Sequence, residues 1–367
     1  MSKVIGFIKK NIVMMVAFFA AIITSFIIKP DDKYIGYFDF KTLTCLFCVL
    51  AVVCALKNIN FFYILAQKIV RRFKTTRACI IALVYITFIG SMLIANDMAL
   101  LTFLPLGYYV LSTTDKGNYM SFTFIMQNIA ANLGGMLTPF GNPQNLYLYT
   151  KFNIPTLEFM KIMVLPFIIS ITIITICCMF VENDPLRIED AKLTTSKPRI
   201  ITYLLLFAFS IAIVFRTIPY FYGLIVIIPA LLVLDRKALK MVDYPLLFTF
   251  VFFFVFAGNM SRINVVRDIF SFLLGKSTLI FSVLSCQVIS NVPSAILLSQ
   301  FTTNYPDLLI GVNIGGVGTL IASLASLITF REYAKHNPKK VLSYVGKFSV
   351  YNFGFLAILV LAQLIFG

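Results

Sequence analysis

The stretch that decides the fold runs from Ala130 to Asn145 and reads AANLGGMLTPFGNPQN. It is rich in Gly, Pro and Asn, yet apolar sequence lies on both sides of it. Gly and Pro disfavour the interior of a helix, so this run predicts a break in an apolar helix. Inside a membrane, the backbone groups freed by a break must be covered by protein or water. A second run, Gly311 to Leu320 with the letters GVNIGGVGTL, repeats the pattern near the other end of the chain.

The composition around these runs is that of a membrane protein. Of the 367 residues, 60% are hydrophobic, against about 45–50% in soluble domains. Many apolar segments approach the ~20 residues that span a bilayer, so we predict an all-α polytopic membrane protein. The first such segment, 11–28, is followed by no small-residue cleavage site. We therefore interpret it as a retained span rather than a signal peptide.

The net charge of +16 reflects topology rather than a nucleic-acid surface. If the N-terminus lies in the cytoplasm and the spans alternate, 22 of the 31 Lys and Arg residues fall on the cytoplasmic side and 9 fall outside. This bias follows the positive-inside rule. It predicts a multi-pass protein of the plasma membrane with a cytoplasmic N-terminus and an external C-terminus. Its environment is the lipid bilayer, and we expect no nucleic-acid partner.

Two further breaks interrupt apolar segments that are too short for two spans each. Segment 78–113 is interrupted at 96–97, and segment 279–301 is interrupted at 290–293. Each predicts a re-entrant hairpin whose tip reaches the middle of the membrane. The order hairpin, broken helix, full span then occurs twice, starting from opposite sides. Such inverted repeats are typical of secondary transporters with a site at the breaks.

This repeat divides the chain into four parts. Residues 1–77 hold N-terminal spans and a basic segment, 58–77, which fits either an amphipathic helix on the cytoplasmic surface or a plain loop. Residues 78–181 form the first repeat, and 182–243 hold a linker and scaffold spans. Residues 244–367 form the second inverted repeat, with a span, a hairpin, a broken transmembrane helix and a last span.

Asp97 is the acidic residue best placed at membrane depth, and nearly all others lie in loops or at span ends. A carboxylate there costs about 2.5–3.5 kcal/mol to insert and is a functional hypothesis by default. The alternative is a hydrogen bond that only holds the hairpin. Asn and Thr at the breaks offer oxygen ligands for Na⁺, which we place near Asn96, Asp97 and Asn291. Helix N-termini at the breaks offer N–H groups to an anion. The predicted substrate and ion site consists of Asn96, Asp97, Asn132, Gly134, Gly135, Thr138, Pro139, Asn142, Pro143, Asn145, Ser290, Asn291, Val292, Asn313, Gly315, Gly316 and Thr319.

No fixed positive charge is predicted at these breaks, because Arg216, Arg262 and Arg267 belong to the outer ends of spans. An anionic substrate would then rely on helix dipoles, amides and coupled ions. His336, the only histidine, is predicted to be solvated in a basic loop. The seven cysteines lack the ligand pattern of a zinc site. We expect no cofactor other than a coupling ion, Na⁺ or H⁺.

These motifs resemble those of the ion transporter superfamily. That superfamily contains citrate carriers, sodium–dicarboxylate symporters, arsenite efflux permeases and a type of sodium/proton antiporter. Segments 95–101 and 290–293 resemble its hairpin tips, and 134–145 and 315–321 resemble its unwound loops. The resemblance covers about 43–366. It implies a homodimer in which a transport part moves against a scaffold as an elevator.

The chain departs from the dicarboxylate branch at both tips. That branch carries Ser-Asn-Thr, whereas this chain has Ala-Asn-Asp at 95–97 and Ser-Asn-Val at 290–292. The added acid is more similar to the arsenite-efflux, antiporter or citrate–metal branches. The sequence favours a secondary transporter of a small anion, either citrate- or dicarboxylate-like or an inorganic oxyanion, coupled to Na⁺ or H⁺. The alternative is a Na⁺/H⁺ antiporter or an arsenite-type efflux permease. Because the chain has no HExxH motif and no P-loop, neither an enzyme nor ATP hydrolysis by this chain is favoured.

Overall fold

The computed structural model describes residues 11–186 and 197–367. Within these ranges the chain forms eighteen α-helices and four short 3₁₀ helices, and no β-strand. The predicted all-α fold is confirmed. The helices are α1 (Ile12–Ile27), α2 (Phe40–Asn58), α3 (Phe61–Val70), α4 (Thr76–Ile94), α5 (Asn96–Thr113), α6 (Met120–Gly134), α7 (Pro143–Lys151), α8 (Thr156–Met179), α9 (Lys197–Val214), α10 (Phe221–Leu234), α11 (Arg236–Met241), α12 (Tyr244–Ser261), α13 (Asn264–Lys276), α14 (Thr278–Ile289), α15 (Asn291–Leu298), α16 (Tyr305–Ile314), α17 (Leu324–His336) and α18 (Val341–Phe366).

Five of the described helices are long and apolar enough to cross a membrane: α2, α4, α8, α12, and α18 with the turn before it. A sixth candidate is the pair α13 and α14, which is bent by 120°. Large apolar side chains are exposed on these helices, including Ile168 at 54% and Val350 at 73%. A lipid-facing surface requires such exposure. The multi-pass membrane protein is thus confirmed, while α1, α9 and α10, which we also predicted to cross, are shorter apolar helices.

The helices form two groups that meet along a seam. In the first group, α2 packs against α9, α10 and α11, and α1 packs against α12. In the second group, α4, α5 and α6 pack together, α5 and α6 also pack against α17, and α14 packs against α15 and α16. Contacts across the seam join α2 to α7 and α12 to α15. The division suits a scaffold and a transport part, although relative motion of the two stays a prediction.

The centre of the second group is α6, which is buried along nearly its whole length. It approaches α4 so closely that a Cβ on Gly134 would lie 2.2 Å from the carbonyl oxygen of Phe88. Only glycine fits there. Three of the buried side chains of α6 are the amides Gln127, Asn128 and Asn132. Because buried polar groups need hydrogen-bond partners, these amides restrict which elements can pack against α6.

Some elements differ from the predicted order. Helix α13 was not predicted, because Arg267, Asp268 and Lys276 interrupt the run of apolar residues that a membrane span requires. In the basic segment 58–77, residues 61–70 form α3. The chain then leaves the helix and enters α4 at Thr76. Much of the predicted linker 182–199 lies outside the described residues.

The prediction that His336 is simply solvated is wrong. Its ring stacks on Tyr108 with the two centroids 3.6 Å apart. Its Nε2 also lies 3.0 Å from Glu332 Oε1, one helical turn earlier in α17. Sequence could not predict the stacking, because Tyr108 belongs to α5 and meets α17 only in the folded chain.

Candidate functional site

The first tip joins α4 to α5 through the single residue Ala95. Its φ of 64° and ψ of 151° are unfavourable for a residue with a Cβ. The next residue stabilises the new helix, because Asn96 Oδ1 accepts a hydrogen bond from the N–H of Asp97 at 2.9 Å. Asn96 is buried and Asp97 is half-buried. The break is therefore where the sequence predicts it, and its depth in the membrane stays a prediction.

The second tip joins α14 to α15 with the same backbone. Ser290 has φ 75° and ψ 160°, and Asn291 Oδ1 accepts from the N–H of Val292 at 2.9 Å. This tip is also hydrogen-bonded to the chain segment that precedes α17. The N–H of Asn291 and the hydroxyl of Ser290 both donate to the carbonyl oxygen of Ala322, at 2.9 and 3.3 Å.

The first loop, residues 135–142, separates α6 from α7, so the predicted helix break is confirmed. Its carbonyl groups need partners because the loop is mostly buried. Asn145 Nδ2 supplies them: it donates to the carbonyl oxygens of Gly135, Met136 and Thr138, each at 3.2 Å. One amide therefore holds the unwound backbone in place.

The second loop, residues 315–323, separates α16 from α17 and confirms the second predicted break. Here the amide comes from Gln287 on α14. Its Nε2 donates to the carbonyl oxygens of Gly315 and Val317 at 2.9 and 3.2 Å. Its Oε1 accepts from the N–H of Thr319 at 2.9 Å.

A threonine ties each loop to the helix before the nearby tip. The hydroxyl of Thr138 donates to the carbonyl oxygen of Met92 at 2.8 Å. The hydroxyl of Thr319 donates to the carbonyl oxygen of Gln287 at 3.1 Å. Met92 and Gln287 each stand three residues before their tip. The two halves of the chain thus share this contact, while their inverted orientation in the membrane stays a prediction.

An asparagine network connects the two halves. Asn313, at the end of α16, donates from Nδ2 to Asn145 Oδ1 at 2.6 Å. Its Oδ1 accepts from Asn142 Nδ2 at 3.2 Å and from Gln144 Nε2 at 3.3 Å. All four side chains are buried. In such surroundings a missing partner would cost about 1–3 kcal/mol, so the network fixes how the first loop meets α16.

The two tips meet the two loops around Asn132 and Gly316. Asn132 Oδ1 accepts from Asn96 Nδ2 at 3.4 Å, and the carbonyl oxygen of Asn132 accepts from Asn142 Nδ2 at 3.2 Å. A Cβ on Gly316 would lie 3.1 Å from Asn291 Nδ2 and 3.6 Å from Asn132 Oδ1. The four breaks predicted from separate parts of the sequence therefore converge in one region.

Asp97 faces a cavity at the edge of this region. The cavity has a volume of about 50 Å³ and is also lined by Leu50 of α2, Phe140 of the first loop and Asp243 before α12. It therefore lies on the seam between the two helix groups. Asp97 Oδ1 is buried and has no hydrogen-bond partner among the described residues.

Two further buried oxygens beside the first loop lack partners in the described part of the chain: Asn142 Oδ1 and Gln144 Oε1. Buried acceptors of this kind are normally satisfied. Carboxylate and amide oxygens are suitable ligands for hard cations. Asp97 Oδ1 could thus accept a proton or bind a cation, and the two amide oxygens could accept a hydrogen bond from a substrate or bind a cation.

The arginines that we placed at outer edges have other partners. Arg262 donates to both carboxylate oxygens of Asp31, at 3.0 and 2.7 Å. These hydrogen bonds hold the pKa of the Asp31 carboxyl below its ordinary 3.8. The guanidinium of Arg216 lies 4.1 Å from the centre of the Tyr149 ring. Neither arginine lines the cavity of Asp97.

The family model of the citrate transporters matches residues 2–306. This chain belongs to the citrate transporter family. An uncharacterized transporter of Methanocaldococcus jannaschii is 36% identical to it over 83% of this chain and 84% of its own length. Inner membrane protein YbiR of Escherichia coli is 28% identical over 80% of both chains. The silicon efflux transporter LSI3 of Oryza sativa is 28% identical over 42% of this chain and 32% of its own length.

Membership of the citrate transporter family makes this chain a multi-pass membrane transporter and not an enzyme. The predicted glycines Gly134, Gly135, Gly315 and Gly316 all stand where a Cβ would lie within 3.1 Å of another atom. The predicted Pro143 begins α7, where its missing N–H is not needed. The predicted Pro139 is buried in the first loop.

The structure also brings residues to the site that we did not predict: Gln144, Gln287, Asn128 and Asp243. An amide inside an apolar helix is a usable sequence signal for interhelical contact, and it could have identified Gln287 and Asn128. Asp243 gave no such signal, because it lies in the chain before a predicted span. Only the packing of α2 and α12 around the tip places it on the cavity.

Proposed function

We propose that this chain is a secondary active transporter that carries a small anion across the plasma membrane, coupled to Na⁺ or H⁺. The observation that supports this most is the convergence of both tips and both loops around Asn132 and Gly316. Transporters with broken helices bind substrates and coupling ions at such convergences. Citrate, dicarboxylates and inorganic oxyanions are the candidate substrates.

Helix N-termini and amides support the binding of an anion. Helices α5 and α15 start at Asn96 and Asn291, and α7 starts at Pro143 beside the first loop. The N-terminus of a helix carries partial positive charge. At α15 the first N–H groups are already bound to Ala322 and to Asn291 Oδ1, so α5 and α7 are the helix ends that could receive a carboxylate or oxyanion. Binding there needs no arginine, which fits the placement of Arg216 and Arg262 away from the cavity.

The unpartnered oxygens support a coupling cation. Asp97 Oδ1 is buried beside the tip, and two amide oxygens lack partners nearby. A proton or Na⁺ bound at Asp97 would remove a buried negative charge. The anion and the coupling ion would then stabilise each other in one site, which is how binding of one becomes dependent on the other.

The position of the cavity on the seam supports alternating access. We propose that the helix group holding the tips moves against the group of α2 and α12 as an elevator, in a homodimer. The N-terminus would lie in the cytoplasm and the C-terminus outside, as the charge distribution predicts.

The second candidate is an efflux permease or a Na⁺/H⁺ antiporter. The acid at the first tip favours it, and so does the name of one relative, the silicon efflux transporter LSI3 of Oryza sativa. The putative transporter arsB of Dictyostelium discoideum is 26% identical to this chain. These relatives cover only 42% and 44% of this chain. The anion carrier is therefore our first proposal.

Thermal unfolding of the purified protein tests the two candidates. Na⁺, Li⁺ and a range of pH would be crossed with citrate, dicarboxylates, sulfate and arsenite. A ligand at 100 times its Kd stabilises the native state by about 2.7 kcal/mol. Stabilisation by a carboxylate that requires Na⁺ or low pH is the expected result. Stabilisation by Na⁺ or Li⁺ alone, with no response to any anion, would favour the antiporter, and a response to arsenite alone would favour the efflux permease.

A further inference from the structure

A second cavity lies next to the cavity of Asp97. It has a volume of about 110 Å³, and its lining includes Lys57, Asn60, Tyr63 and Thr102. The last turn of α2, the start of α3 and the second turn of α5 therefore build it together. We call it the Lys57 cavity.

The lining of the Lys57 cavity is suited to negative charge. Lys57 is half-buried and forms no ion pair with a carboxylate in the described part of the chain. Tyr63 and Asn60 add a hydroxyl and an amide, Phe62 and Pro105 are apolar, and no acid among the described residues lines the cavity. The hydroxyl of Thr102 already donates to the carbonyl oxygen of Met98 at 2.8 Å. A half-buried ammonium group without a counter-ion attracts anions more strongly than a solvated one.

Leu101 lines both cavities and so separates them. It stands one helical turn after Asp97 on α5, so both side chains lie on the same face of that helix. The leucine is 45% exposed, and it is apolar, so no hydrogen bond fixes its position. Movement of this one side chain would connect the fixed positive charge at Lys57 with the carboxylate at Asp97.

We propose that the Lys57 cavity is a docking site for the carboxylate or oxyanion group of a small solute that travels to or from the Asp97 cavity, with Leu101 as the partition. This inference rests on the proposed function. The site supplies the fixed positive charge that the two tips lack. The charge distribution predicts that this end of α2 lies on the cytoplasmic side. The site would hold the anion there before the solute reaches the helix N-termini.

The chain has no tryptophan, so one introduced tryptophan gives a fluorescence reporter without background. Leu101→Trp places it between the two cavities. Its quenching by iodide, an anion, would be compared with quenching by neutral acrylamide. Lys57→Gln should lower the ratio of the iodide quenching constant to the acrylamide quenching constant by about two-fold or more, because a local positive charge concentrates anions. Lys57→Arg should keep the ratio, since it keeps the charge.

Lys68→Gln is the matched control, because Lys68 is an exposed lysine of α3 outside the cavity. An equal fall in the ratio with Lys68→Gln, or no fall with Lys57→Gln, would overturn the proposal. If Leu101→Trp lowers the unfolding temperature strongly, Phe62→Trp provides a second reporter in the same cavity. Iodide need not be transported, so this result is independent of the proposed function.

A lipid headgroup carries the same chemistry as a free oxyanion, because basic pockets near the cytoplasmic surface also bind anionic lipids. The quenching would therefore be repeated in nanodiscs of zwitterionic lipid and of anionic lipid. Citrate added to the zwitterionic nanodiscs should compete with iodide at the reporter. Protection by anionic lipid, with no competition by citrate, sulfate or arsenite, would assign the cavity to a headgroup and overturn the proposal.

Discussion

At both Ala95 and Ser290 one helix ends and the next begins within a single residue, with φ values of 64° and 75°. In each case the following asparagine accepts a hydrogen bond from the next N–H at 2.9 Å. The third residue differs: Asp97 faces a cavity with an unpartnered oxygen, whereas the second tip has an apolar valine.

The anchoring of the two tips differs as well. The second tip is held by two hydrogen bonds to Ala322, while the first tip contacts α6 through one longer hydrogen bond, from Asn96 Nδ2 to Asn132 Oδ1 at 3.4 Å. The same backbone geometry thus serves two purposes. The first tip presents an ionisable group on a loosely attached junction, and the second tip is tied to the loop between α16 and α17. Substitutions at the two tips test this asymmetry.

Asp97→Asn should have the largest effect. It keeps the size of the side chain and removes the charge that we assign to coupling. We expect gradient-driven uptake in proteoliposomes to fall by about 100-fold, which corresponds to about 2.7 kcal/mol in the barrier. Asp268→Asn, at an exposed position of α13, makes the same change of charge and should keep normal uptake. Normal coupling in the Asp97 variant would remove this tip from the mechanism.

Gly134→Ala tests the close approach of α6 and α4 that supports the first tip. A Cβ there would lie 2.2 Å from a backbone oxygen, so the helices must separate, at a cost of about 1–3 kcal/mol. Thermal unfolding in detergent measures the loss. Gly354→Ala on α18 is the control, because a Cβ there meets no atom within 4 Å. Equal stability of the two variants would contradict the packing described here.

Ser290→Ala should remove the hydroxyl contact to Ala322 and destabilise the second tip by about 1 kcal/mol. The reciprocal change, Ala95→Ser, adds a hydroxyl to a tip that has no such anchor and should leave stability nearly unchanged. Hydrogen exchange of the amides at the start of α15 and of α5 would localise the two effects. A larger loss of protection at α5 than at α15 would reverse the proposed asymmetry.

Ala95→Gly should give a small change, a gain in stability. Glycine relieves an unfavourable backbone conformation that costs about 1–3 kcal/mol, against about 0.5–1 kcal/mol of added chain entropy in the unfolded state. Ser290→Gly relieves the same conformation and also loses the hydroxyl contact, so its gain should be smaller. Chemical unfolding of both variants would rank them, and a larger gain at Ser290 would contradict the comparison.

The breaks were predictable because their causes are local. Clustered Gly, Pro and Asn residues disfavour a helix whatever the distant chain does, and both loops and both tips lie where the sequence places them. Asp97 was predictable for a similar reason, since a lone acid in an apolar segment needs an explanation. The partners were not predictable. Gln287 meets the second loop and Asp243 meets the first tip only because helices distant in sequence pack together.

Accessibility of the tips from the two sides of the membrane tests the central claim most directly. Ala95→Cys and Val292→Cys would be labelled with a membrane-impermeant thiol reagent in inside-out and right-side-out vesicles. Cys177→Ala would remove the background, because Cys177 is partly exposed and the other six native cysteines are buried. Alternating access predicts labelling of both tips from both sides, in proportions that change with Na⁺, pH and citrate. Labelling of both tips from one side only, under every condition, would contradict it.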